Sequence, residues 1–333
     1  MRYRPMAPAD IRECVDLVSN NPVIGPRYGH LIERLPEVWL SLLECDLSTA
    51  CVFYGDEGSH APICFFGITA AVEDGFLCEM KTPPHFWIGP ELTRRFIAGK
   101  SPVVTGKDFR RANSHGGLNL VCLENCVREG HKADSELQRS IMSTFIELHR
   151  GYLWKELIAN QPESRGRLAF LLNTGALVWD PFAQSYSGTL RDDPEAIVNN
   201  PHVLGVTREL ESAGHQEWAG TWVGTLFDYH DPLLGLNRSE QRLLTRALGD
   251  ATDENLAGLL GISPQTVKNM WVSIYRRVED HLPELISDPF RSEVAPRSRG
   301  REKRRRLLSY LREHPEELRP YSAKLLTKCA AAK

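Results

Sequence analysis

The 333-residue chain has no run of eighteen or more apolar residues, so no membrane-spanning helix is expected. Its opening, Met1-Arg2-Tyr3-Arg4-Pro5, lacks the apolar centre of a secretory signal. Eight cysteines in a chain of this length form no dense disulfide framework, which fits a reducing compartment and a cytoplasmic location. Cys122 and Cys126 have no second pair at zinc-ligand spacing, so they read as core thiols and no metal is expected. No Gly-x-Ser-x-Gly elbow accompanies His115-Gly116-Gly117, which reads as a turn between strands rather than an oxyanion loop. No internal repeat occurs. The acids do not cluster after early strands as a phosphorylated receiver requires.

What is present divides in two. A chain this long usually makes about two domains, and 42% apolar residues is ordinary for a globular protein. The charge is unevenly placed. From residue 231 onward there are 19 basic and 14 acidic residues, against 40 and 43 in the whole chain, which leaves 21 and 29 before it. A basic C-terminal third behind an acidic N-terminal part suits a nucleic-acid-binding module joined to a part with another task.

The stretch from Leu236 to Val278 carries the strongest pattern. Ser239 can cap a helix with Leu243, Leu244, Ala247 and Leu248 at helical spacing, ended by Gly249. Thr252 or Asp253 can cap a second helix with Leu256, Leu259 and Leu260 inward, and Gly261 supplies a turn. Ser263 caps a third helix that has Pro264 at its first position. Val267, Met270 or Trp271, Ile274 and Val278 make its buried stripe. The opposite face carries Gln265, Lys268, Asn269, Val272 and Arg276. Gln and Asn can pair with adenine edges, and Lys and Arg with guanine or phosphate.

These residues resemble the LuxR-type DNA-binding domain. Leu236, Glu240, Leu244, Ala257, Leu260, Ile262, Ser263, Thr266, Val267, Lys268 and Ile274 stand where that family has its signature residues. The resemblance implies a helix-turn-helix that sets one helix in the DNA major groove, in a homodimer on double-stranded DNA. The DNA-facing residues expected are Ser263, Gln265, Thr266, Lys268, Asn269, Val272, Arg276 and Arg277. Pro283 falls where a further, dimerising helix of that family would run. Beyond it, Arg297, Arg299, Arg301, Lys303, Arg304, Arg305 and Arg306 precede Leu307, Leu308 and Leu311. They suggest a basic helix over about 301–313, with Arg304 and Arg305 as phosphate contacts.

The N-terminal part reads as mixed strands and helices. Strands are expected at 1–6, 50–54, 63–72, 118–127, 152–159 and 176–179. Helices are expected at 11–19, at 27–43 with a break near Pro36, at 135–149 and at 162–174. The 50–54 and 63–72 strands are joined by Gly55-Asp56-Glu57-Gly58. The opening Tyr3-Arg4-Pro5-Met6-Ala7-Pro8-Ala9-Asp10-Ile11 and the run Arg167 to Ala176 are similar to the start and last helix of GNAT acetyltransferases. That family holds the pyrophosphate of acetyl-CoA on the backbone N–H groups of a glycine-rich loop opening a helix. Here that segment is Arg128-Glu129-Gly130-His131-Lys132-Ala133-Asp134-Ser135, with one glycine and with acids. Glu124 and Glu129, near a strand end, are candidates for a general base. Trp39, Phe53, Tyr54, Phe65, Phe66 and Trp87 can line an apolar pocket or simply fill the core.

The expected fold class is therefore a GNAT-like α/β domain over residues 1–187, with a mixed sheet and helices. A connector at 188–231, an all-α helix-turn-helix domain at 232–286 and a basic extension at 287–333 follow. The expected function is a DNA-binding transcriptional regulator whose N-terminal domain senses a small-molecule ligand or partner. No cofactor is expected and catalysis is not the main reading. The alternative is a GNAT-type acetyltransferase with a helix-turn-helix tail.

Overall fold

A computed structural model describes residues 2–45, 47–55, 61–106, 108–109, 116–161, 165–173, 175–190, 200–208, 221–249, 251–286 and 296–320. The chain divides into two units. One holds residues 1–149 and 153–227, and the other residues 228–333 with 150–152. His115, the Asp56-Glu57-Gly58 turn and positions 191–199 and 209–220 of the expected connector lie outside the described residues.

The first unit is built on β1 (Arg2–Pro5), β2 (Ser48–Tyr54), β3 (Ile63–Val72), β4 (Leu118–Val127), β5 (Trp154–Asn160), β6 (Leu177–Asp180), β7 (Ser185–Gly188) and β8 (Val203–Thr207). They form one sheet in the order β1-β2-β3-β4-β5-β8-β6-β7. All described pairings are antiparallel except β4 with β5, which run parallel around a crossover helix. Its α-helices are α1 (Ile11–Ser19), α2 (Gly25–Tyr28), α3 (Leu35–Leu43), α4 (Asp74–Met80), α5 (Ile88–Ile97), α6 (Ser135–His149), α7 (Arg165–Asn173) and α8 (Trp222–Phe227). This mixed sheet with helices is the α/β layout expected from the sequence.

The sheet is covered on both faces, so β3 is buried along nearly its whole length instead of alternating. Phe66, Ile68, Ala70 and Val72 join the core made by α1, α3, α4 and α5. Phe53 and Phe65 on the opposite face pack with Leu137 and Ile141 of α6. The helical stretch is interrupted near Pro36 as expected: a 3-10 segment, Gly29–Arg34, precedes α3, and Pro36 sits in its first turn, where its missing N–H costs nothing. The region 188–231 is more than a connector, because β8 inserts between β5 and β6 and α8 belongs to the α/β unit. Its apolar run Val203-Leu204-Gly205-Val206 is short and unpatterned, and its strand partners lie far away in sequence.

The second unit contains α9 (Arg238–Ala247), α10 (Asp253–Leu260), α11 (Pro264–His281), α12 (Pro283–Ile286) and α13 (Pro296–Glu313). The cap of α9 is Asn237, not Ser239. Its side chain accepts from the N–H groups of Ser239 and Glu240, and Glu240 reaches back to the Asn237 N–H at 2.9 Å. Thr252 caps α10 and Ser263 caps α11. Gly261 turns between these two helices at φ 66°, a left-handed conformation that favours glycine. Leu236, Leu243, Leu244, Leu256, Val267, Trp271, Ile274 and Val278 share one core with Leu307, Leu308 and Leu311 of α13. Leu259, expected inward, is 60% exposed. Of Met270 and Trp271, Trp271 is the buried one.

Candidate functional sites

In the α/β unit the central event is a parting of two strands. β4 pairs with β5 from Leu118 opposite Trp154 to Cys122 opposite Ala159, and there the pairing ends. β4 nevertheless continues along β3 until Val127 faces Phe65. A bulge helps to turn it: Ile68 faces Glu124 and Thr69 faces Cys122, which leaves Leu123 as the extra residue. Past Cys122 and Ala159 the two strands therefore enclose a gap. Cys122, Glu124, Asn125, Ala159 and Asn160 border a cavity on each side of it.

Glu124 is the ionisable group at this gap, and it is 9% exposed. Tyr28 Oη donates to its Oε2 at 2.9 Å, and the Asn125 N–H donates to its Oε1 at 3.0 Å. Burial, and then the Glu124 carboxylate, push the Tyr28 hydroxyl well above the usual tyrosine range. Tyr28 thus stays a proton donor toward Glu124. Gly89, in the first turn of α5, is required here. A Cβ at Gly89 would collide with the Tyr28 hydroxyl and with the Leu123 carbonyl. Asn160 fixes the start of α5, accepting from the Ile88 N–H and donating to the Phe86 carbonyl at 3.3 Å. The Arg27 guanidinium lies over the Trp87 ring at 3.5 Å.

The candidate base Glu124 is thus placed at the gap, whereas Glu129 is exposed and paired with Lys132 at 2.7 Å. Of the six aromatic residues considered for a pocket, Phe65 and Trp87 border the two cavities. Trp39, Phe53 and Phe66 are core. Tyr28, Gly89, Asn160 and Trp222 gave no sequence signal, since only the fold brings them to the gap.

The segment before α6 is closed to an anion by its own side chains. Asp134 Oδ1 accepts from the N–H groups of Glu136 and Leu137 at 2.9 and 3.0 Å. The Gln138 N–H bonds the Asp134 carbonyl. Arg128 points elsewhere, to the Ile63 carbonyl and Glu13 at 2.7 and 2.5 Å. The helix-start N–H groups that a pyrophosphate would need are satisfied by a carboxylate of the chain itself.

In the helical unit, Gln265, Lys268, Asn269, Val272 and Arg276 form one exposed row on α11, opposite the buried Val267, Trp271, Ile274 and Val278. Val272 is 59% exposed. Gln265 Nε2 donates to Asn269 Oδ1 at 3.1 Å, which orders that pair. Ser263 and Thr266 are engaged at the helix start, where Ser263 Oγ accepts from the Thr266 N–H at 3.0 Å. Arg277 turns inward to Glu240 and the Gly235 carbonyl. Arg304 bonds Asp253 at 2.8 Å and the Ala251 carbonyl at 2.7 Å, with Trp271 beneath it at 4.5 Å. Arg305 is exposed and pairs with Glu302. The side chains of Arg297 and Arg299 lie outside the described residues.

No family model and no curated protein matches this chain. Several solved structures are similar to its α/β part at a low level. A mutant spermidine N-acetyltransferase from Vibrio cholerae is 8% identical, covering 62% of this chain and 95% of its own, with a TM-score of 0.35. A GNAT-like decarboxylase bound to isobutyryl-CoA is 12% identical, with 62% and 99% covered and a TM-score of 0.36. A GNAT-family acetyltransferase from Streptococcus pneumoniae is 9% identical, with 62% and 98% covered and a TM-score of 0.34. Scores this low do not speak to activity. The helical unit has no such counterpart among these three. No helix among the described residues is long and apolar enough to cross a membrane.

Proposed function

We propose that the chain is a DNA-binding regulator in which the helical unit reads double-stranded DNA and the α/β unit holds a small molecule. The carrying observation is the division of α11. One face is locked into a core around Trp271, and the other presents Gln265, Lys268, Asn269 and Arg276 to solvent. Amide and cationic side chains at helical spacing suit base edges and phosphates together. A left-handed glycine turn before a Ser-Pro helix start supports the reading of a helix-turn-helix, whose second helix would enter the major groove. On this reading Arg277 and Arg304 hold the unit together, and the contacts to DNA come from α11. DNA immunoprecipitated with the full chain should share a sequence motif, and Lys268→Ala should weaken binding to it at fixed salt. Binding with no common motif and no dependence on Lys268 would remove the assignment.

Acyl transfer is the second reading, and one observation favours it: Tyr28 and Glu124 form a proton-donor and carboxylate pair where the strands part. A pair so placed suits proton transfer to or from a bound acceptor. Against it stands Asp134, which occupies the N–H groups that a CoA pyrophosphate would use. Calorimetry with acetyl-CoA separates the two. Micromolar binding followed by transfer of the acetyl group to an amine, with release of free CoA, would make the protein an enzyme.

A further inference from the structure

The cavity on the α6 side of the gap measures about 130 Å³, and its lining includes Ile141, Met142, Phe145, Leu157 and Leu204. Cavities of roughly this size accept a molecule about as large as benzene. The wall is mostly hydrocarbon, and its polar groups are largely spoken for. Thr69 Oγ1 and His149 Nε2 are 2.7 Å apart, and His149 Nδ1 lies 2.7 Å from the Phe145 carbonyl. Glu124 is held by Tyr28 and Asn125.

Trp222 is the exception. It stands at the start of α8, packs edge-on against Phe145, and lines the cavity. Its Nε1–H is buried with no hydrogen-bond partner among the described residues. A buried indole N–H is normally paired, and an unpaired one is destabilising until an acceptor arrives. A lone water is a poor answer, since it needs roughly two to four polar partners and this wall offers few.

We infer that this cavity binds a small, neutral, mainly hydrocarbon molecule bearing a carbonyl or similar acceptor, which takes the hydrogen bond of Trp222 Nε1. Charge supports neutrality. No lysine or arginine lines the cavity among the described residues, and its mostly hydrocarbon wall makes an unpaired charge costly. Position gives the site a consequence. α8 covers the ligand, with Val223, Leu226 and Phe227 buried beneath it, and it is the last α/β element before the chain enters the helical unit at Asp228. The inference rests on the reading of the α/β unit as a ligand-holding domain and names its ligand class.

The test uses the full chain with acetophenone as probe and benzoate as its anionic counterpart. Acetophenone should raise the melting temperature and shift one indole N–H resonance, the one that disappears in Trp222→Phe. Trp222→Phe keeps an aromatic ring but loses the indole donor, and it should weaken acetophenone binding about fivefold. Cys122→Leu, which intrudes from the gap while circular dichroism remains unchanged, should abolish binding. Equal affinity in Trp222→Phe, benzoate binding as well as acetophenone, or no binding of the ketone would each overturn the inference. DNA affinity is measured separately. Ketone binding without any Lys268-dependent DNA binding refutes the regulator and leaves the cavity assigned. DNA binding without ketone binding does the reverse.

Discussion

The two units bury their polar groups for different ends. In the helical unit the buried acids are anchors. Glu240 closes the cap of α9 and holds Ser273 and Arg277, and Glu317 accepts from the Leu233 and Leu234 N–H groups and from Tyr310. They tie the helices together, while the outer row of α11 stays exposed. In the α/β unit Lys81 and Glu156 form a similar anchor, with Tyr186 on Glu156 and Lys81 over the Trp179 ring. At the strand gap, however, Glu124, Asn160 and Trp222 border open volume. A unit that presents a rigid outer surface suits contact with a macromolecule, and one that keeps polar groups around an internal gap suits a small molecule.

The sharpest way to break this comparison is to unfold one unit alone. Leu244 is fully buried, and Leu244→Ala should cost the helical unit about 2–5 kcal/mol. Calorimetry should then show one transition shifted and the α/β transition in place. A single transition moving as a whole would mean that the two cores are not independent.

Next in size is the buried ion pair. Lys81→Met leaves Glu156, which is 5% exposed, without its cation. The loss should be about 3–5 kcal/mol in the α/β unit. Lys81→Met with Glu156→Gln should recover much of it. If the single variant melts like the parent, the pair is not an anchor.

Two cations of the helical unit separate surface from scaffold. Lys268→Ala should cost about 1–3 kcal/mol of DNA affinity and leave melting unchanged. Arg304→Ala should lower the melting temperature, because Asp253 and the Ala251 carbonyl lose their partner, while the salt slope of DNA binding stays the same. The opposite outcome would move the interface to α13.

The smallest effect is in pH. Burial alone would raise the Asp10 carboxyl, but hydrogen bonds from Arg4 and the Ala7 N–H outweigh it and hold the group below its usual value of 3.8. Its stabilising effect is present above that value and is lost as pH falls through the lowered one. Glu317 is pushed above its usual 4.5, chiefly by burial. Its contribution has the other sign: present below 4.5 and lost as pH rises through the raised value. Asp10→Asn should flatten the acid limb of the α/β transition, and Glu317→Gln the dependence of the helical one. Identical pH profiles in parent and variants would rule out both linkages.

Much of the local chemistry that acts within a few residues was legible, though the cap of α9 proved to be Asn237 and not Ser239. The spans 11–19, 63–72, 118–127 and 135–149 coincide with α1, β3, β4 and α6. Periodicity and short punctuation signals determine such elements. The Thr252 and Ser263 caps and the Gly261 turn follow from the same short-range bonds. The acid Asp134 before α6 likewise acts locally, bonding N–H groups two and three residues on. The rest needed tertiary structure. Residues 203–207 become a strand because β5 and β6 each offer an open edge, a fact about neighbours more than twenty positions away. The gap exists because β4 follows β3 past Cys122 while β5 does not follow β4. Tyr28 meets Glu124 across 96 positions, and Trp222 reaches Phe145 only because the chain returns over α6. Sequence alone set the residues that can donate, accept or carry charge. Packing alone decided which of them lost water without gaining a partner, and that loss is what makes the cavity beside Trp222 a binding site.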